Sequence, residues 1–143
     1  MEQRAKWMAR AAGAVFLLLA LLTGLQIWTA VGAQFAWIWA LILPMPFYLF
    51  AMGSTWWALR LVGQGARLAP ALSSLMRRSG IALFLGGLVE VFGTNILLVE
   101  TGQRSQPINI TAIVIGVIGV GLYGLSSLID DARAARAELE EFI

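Results

Sequence analysis

Between Arg10 and Arg60 the chain carries no charged residue over 49 positions. As a single helix this run would extend about 74 Å at about 1.5 Å per residue, more than twice the roughly 30 Å hydrocarbon thickness of a bilayer. It must therefore fold back. The small and polar stretch Thr29-Ala30-Val31-Gly32-Ala33-Gln34, set between Leu- and Trp-rich flanks, is the expected place. That division predicts one helix at about 11–29 and a second at about 35–59. The first run also exceeds the usual length of a signal-peptide apolar segment.

The rest of the composition agrees with a lipid environment. Hydrophobic residues make up 59% of the 143 positions and charged residues 13%, against about 45–50% and about 25% in soluble domains. There is too little polar surface here to cover a water-soluble fold. The absence of Cys and His removes thiolate nucleophiles, disulfides, thiolate and imidazole metal ligands, and the usual base near neutral pH. No metal site and no cofactor are expected.

Downstream of a basic loop at 60–78, the segment 80–99 holds twenty residues with one charge, enough for a third span. A polar turn from Glu100 to Pro107 leads to a fourth helix at about 108–129 and a charged tail at 130–143. Pro44-Met45-Pro46 should kink the second helix, because proline removes a backbone donor and crowds the preceding turn. Within the basic loop, Pro70 is expected to break any short amphipathic piece.

Nine of the ten Lys and Arg lie before helix one, in the central loop or after helix four, and only Arg104 lies in an opposite hairpin. The positive-inside rule then places both termini and the central loop in the cytoplasm. Tryptophans agree: Trp7, Trp56 and Trp57 fall at the basic helix ends, and Trp28, Trp37 and Trp39 near the opposite hairpin, where amphipathic rings anchor at interfaces. The expected architecture is one all-α integral membrane domain over 1–143, with four transmembrane helices in two hairpins, in the bacterial inner (plasma) membrane. The net charge of +2 marks topology and contact with anionic membrane lipids, not nucleic-acid binding.

Glu90 is the residue most suggestive of chemistry. Counted from residue 80 it falls at mid-membrane, where a charged group costs about 2.5–3.5 kcal/mol on insertion scales and commonly marks a proton or substrate path. At 100° per residue, Leu83, Gly86, Gly87, Gly93, Thr94 and Leu97 share its face, while Asn95 falls about 140° away and is expected to make a separate interhelical bond. Gly116, Gly119, Tyr123 and Ser127 form the matching face of helix four. Gly86, Gly93, Gly116 and Gly119 are therefore expected packing positions, and Tyr123 the partner of Glu90 in a proton- or substrate-binding site.

The segment Glu90-Val91-Phe92-Gly93-Thr94 resembles the first-helix stretch of small multidrug resistance transporters, and the Gly-rich 116–124 stretch resembles their last helix. The likeness covers about the second half of the chain. The glutamate stands here on the third helix instead of the first, and the family's mid-chain Tyr and Trp motifs have no match. The resemblance implies a membrane glutamate that exchanges protons for cationic substrates. The residues themselves fit a non-catalytic multi-pass protein, acting as a subunit, scaffold or oligomeric component of a membrane complex. The alternative is a small proton- or cation-coupled transporter or channel that uses Glu90. An enzyme is not expected, since no paired carboxylates face each other across the spans. A homo-oligomer or larger complex is expected from the glycine-rich faces.

Overall fold

A computed structural model describes residues 2–32 and 37–142, and these are helical apart from short turns and one loop. The helices are α1 (Glu2–Gly32), α2 (Trp37–Ile42), α3 (Met45–Gly63), α4 (Leu68–Leu88), α5 (Thr94–Glu100) and α6 (Ile110–Glu141), with a π-helical turn at Val89–Gly93 joining α4 to α5. Four stretches are long and apolar enough to cross a membrane: Lys6–Gly32, Trp37–Gly63, Leu68–Glu100 and Ile110–Glu141. α1 continues through Gly32, past Thr29 where the fold-back was expected to begin, and the rest of the anticipated turn, 33–34, falls outside the described residues.

The proline pair does interrupt the second span. α2 stops at Ile42, Leu43 and Pro44 form a turn, and α3 restarts at Met45 with Pro46 in its first turn, where a missing N–H has no intrahelical acceptor to lose.

The long basic loop is a correction. α3 continues to Gly63 and α4 starts at Leu68, so only four residues connect them. Gly65, at φ +91°, allows the Ala66 N–H to reach back to the Leu61 carbonyl at 3.0 Å, a left-handed helix stop that suits glycine. Pro70 does not break the following helix because it occupies the first turn, among the orphan donors. Gly102, at φ +77°, ends α5 in the same way, with Gln103 N–H on the Leu98 carbonyl at 2.9 Å.

The long helices pack in chain order: α1 against α3, α3 against α4, and α4 against α6, the last being the most extensive contact. Small side chains form the contacts. Ala30, Ala40, Ala51, Ala58, Ala71, Ala82 and Ala112 are buried, whereas Leu21, Phe92 and Val117 are among many large residues turned outward. This inside-out distribution fits helices whose surroundings are as apolar as their side chains.

The α4–α6 contact is the tightest. A Cβ placed on Gly80 would stand 2.6 Å from the Gly119 carbonyl oxygen, and one on Gly87 would stand 2.7 Å from that of Ala112. At the basic end of the same pair, the buried Ser73 hydroxyl donates to Asp130 Oδ1 at 2.7 Å, while Arg133 sits 3.6 Å from that carboxylate.

Candidate functional site

The early start of α4 moves Glu90 along its span. It lies about two-thirds of the way from Leu68 to Glu100, and it is level with Asn109, the residue that caps the start of α6. The carboxyl group therefore belongs to the hairpin end of the molecule that also carries Arg104, and not to the middle of its helix.

Both carboxyl oxygens act as acceptors. The Tyr48 hydroxyl, from α3, donates to Oε2. The Asn109 amide nitrogen donates to Oε1 at 2.7 Å, and Asn109 Oδ1 accepts from the Thr111 N–H at 3.0 Å, making this side chain the N-cap of α6. A single residue thus ties the helix terminus to the carboxyl group.

Tyr123 is not the partner. Its backbone nitrogen would lie 2.8 Å from a Cβ on Gly80, so the helix register sets it ten residues of α4 away from Glu90, about 15 Å at about 1.5 Å per residue. Gly119 packs on Gly80, Leu83 and Phe84, and Gly116 backs onto Gly87. Gly86 has a different role: a Cβ there would meet the Tyr48 ring at 2.9 Å, so its bare backbone makes the space through which Tyr48 reaches the carboxyl group. Gly93 lies against Leu43 in the same way, 3.2 Å from its would-be Cβ.

The π turn alters which residues share a face. The Thr94 N–H bonds to the Val89 carbonyl, five residues back, so the chain around Glu90 winds more widely than an α-helix. Positions five apart then return toward one side, and Asn95 lines the same cavity as Glu90. Asn95 donates to the Val91 carbonyl at 2.9 Å and accepts from the Gln106 N–H at 2.9 Å, fixing the loop before α6. Its expected interhelical bond is a helix-to-loop bond. Thr94 meanwhile reaches the Ala40 carbonyl at 3.2 Å, close to the break between α2 and α3.

These groups surround a cavity of about 550 Å³ that opens between α1, the broken second span, α5 and the loop before α6. Gln26 and Thr29 face it from α1, and Tyr48, Glu90, Asn95 and Asn109 from the other elements. Among the described residues Glu90 is its sole charged lining residue, and it is half-buried there. Such an arrangement can hold a proton or accept a small cation on carboxyl, hydroxyl and amide oxygens. Among the described residues no cluster of acidic side chains suits a bound metal ion.

Tyr48 and Asn109 are the site residues that sequence reasoning missed. Asn109 carried a readable signal, since an Asn between Pro107 and an apolar run is a typical helix start. Tyr48 carried none beyond its place after the proline pair. Compared with protein-family models, curated proteins and solved structures, the chain matches none.

Proposed function

We propose that this chain is a small, non-catalytic multi-pass membrane protein that binds a proton or small cation at Glu90 and couples that binding to transport. The observation that carries the reading is the placement of Glu90 as the one charged residue, among those described, that lines an open, polar-rimmed cavity of about 550 Å³. A carboxyl group within an apolar span that faces a cavity instead of lipid is a common basis for ion and proton paths. By the positive-inside rule, the Lys and Arg distribution supports a cavity that opens opposite the cytoplasm, with both termini inside. Toward the basic end, α4 and α6 meet closely at Gly87–Ala112 and Gly80–Gly119, which narrows the way between these two helices.

A second reading draws on the same hydrogen bonds. Glu90 joins α3 to the start of α6 through Tyr48 and Asn109, which would serve a purely structural subunit equally well. Reconstitution separates the two. In vesicles with a trapped pH-sensitive dye, and in parallel with tracer sodium or rubidium, the wild-type chain should carry flux that Glu90→Gln abolishes while assembly is unchanged. Wild-type vesicles without Glu90-dependent flux of any of these ions would leave the structural reading in its place.

A further inference from the structure

We infer a specific site for one anionic phospholipid on the outer face of α3, in the leaflet at the basic end of the molecule. A surface groove of about 480 Å³ crosses this face, from Phe16 on α1 to Arg78 on α4. Its floor follows Pro46, Leu49, Phe50, Gly53, Ser54 and Trp57, positions that recur at the three- and four-residue spacing of one helix face. Pro46 to Trp57 spans about 16 Å at about 1.5 Å per residue, which is half of a roughly 30 Å hydrocarbon core and so the depth of one leaflet.

Gly53 keeps the groove open. The Phe16 ring lies 3.2 Å from where a Gly53 Cβ would stand, and it stacks on Trp56 with centroids 5.8 Å apart. A larger residue at 53 would push this ring outward into the groove. The walls are thus apolar and aromatic, suited to an acyl chain.

Arg78 supplies the charge. The Ser79 hydroxyl donates to the Ala51 carbonyl at 3.4 Å, so Arg78 is level with the stretch next to Gly53, about 6 Å deeper than Trp57 at about 1.5 Å per residue. Its side chain is exposed, and no acidic side chain pairs with it among the described residues. Arg77, also exposed, adds a second positive charge to the same turn. An arginine at this depth extends toward the interface along its apolar stem, and basic pockets between spans on the cytoplasmic side hold anionic lipid head groups. Among the described residues no Asp or Glu lines the groove. Charge and shape both select a phospholipid whose head group carries a net negative charge, its phosphate at Arg78 and one chain along Phe50 and Leu49.

Trp57, half exposed in the groove, is a built-in reporter. The full-length chain is placed in phosphatidylcholine vesicles containing a graded fraction of either phosphatidylglycerol or phosphatidylcholine with brominated acyl chains. The Trp57 contribution is the difference in quenching between wild type and Trp57→Phe. Half-quenching should need about fivefold less brominated phosphatidylglycerol than phosphatidylcholine, the factor equivalent to about 1 kcal/mol for one basic residue near an anionic surface. This preference should fall in Arg78→Gln, persist in Arg78→Lys, and persist in Arg136→Gln, which removes one charge from the exposed tail. Equal quenching by the two lipids in wild type, or an undiminished preference in Arg78→Gln, overturns the proposal. So does absence of Trp57 quenching by either lipid, because the groove would then be covered by protein, a second copy included.

Discussion

Asn109 makes two bonds with different atoms, and substitution can separate them. Asn109→Ser keeps an oxygen to cap α6 but is too short to extend a donor to Glu90, while Asn109→Ala loses both bonds. Loss of an N-cap costs about 1 kcal/mol, so Asn109→Ala should unfold at lower temperature than Asn109→Ser, measured by circular dichroism in lipid nanodiscs. Both should perturb Glu90-dependent flux. Tyr48→Phe removes the other donor without changing the ring that fills the space beside Gly86, and flux should again fall with little change in helix content. If Tyr48→Phe and Asn109→Ser both conduct as wild type does, the two side chains do no more than brace the helices. The sequence singled out Glu90 because a lone charge inside an apolar run stands out against its neighbours. It could not single out Tyr48, because an aromatic residue after a proline pair has no property that separates a partner from a packing residue.

At the scale of elements, the glycines of α6 divide by what surrounds them. A Cβ on Gly119 would stand 2.6 Å from backbone atoms of Gly80 and Phe84, whereas one on Gly116 or Gly124 would meet nothing within 4 Å. Gly119→Ala should therefore force α4 and α6 apart at a cost of about 1–3 kcal/mol, the range for overpacking, while Gly116→Ala and Gly124→Ala leave this contact intact. Steric-trap or denaturant unfolding in bicelles provides the comparison, and equal losses at all three positions would show that the close approach is not what matters. Spacing had grouped Gly116 with Gly119 because a helical wheel registers direction but not the distance to a neighbour. Two further departures have equally local causes. Pro70 looked like a breaker, yet proline is neutral in a first turn, and the Arg77–Arg78 pair looked like loop but lies within α4, which shifted the start of the third span and with it the depth of Glu90. Asn95 looked remote from Glu90 under a uniform 100° step, and the π turn at Val89–Gly93 changed that step. The four apolar runs and the interruption at Pro44 were legible because they depend on composition and on a missing donor, which the chain states outright.

The whole molecule is a succession of pairwise contacts, α1 on α3, α3 on α4 and α4 on α6, so its two outer helices each keep a long unpartnered side. With no native cysteine, single substitutions report topology cleanly. Gln103→Cys should label from outside intact cells, and Ala137→Cys only after permeabilisation; labelling of both from one side would contradict two cytoplasmic termini. The unpartnered side of α6 also bears on assembly. Val117, Gly121, Gly124 and Leu128 are exposed along one face, and the two glycines have open space where a Cβ would stand. Small residues at such spacing let a second helix approach closely in lipid, where packing rather than hydrophobic burial drives association. We therefore expect a homo-oligomer or a larger membrane complex that uses this face. Gly124→Leu should shift the cross-linked population in native membranes from oligomer to monomer while leaving the α4–α6 contact and monomer stability unchanged, because the added side chain points away from α4. Cross-linking that is unaffected by Gly124→Leu and Gly121→Leu would move the interface to another face. A wild-type chain that stays monomeric both in mild detergent and in native membranes would remove it altogether.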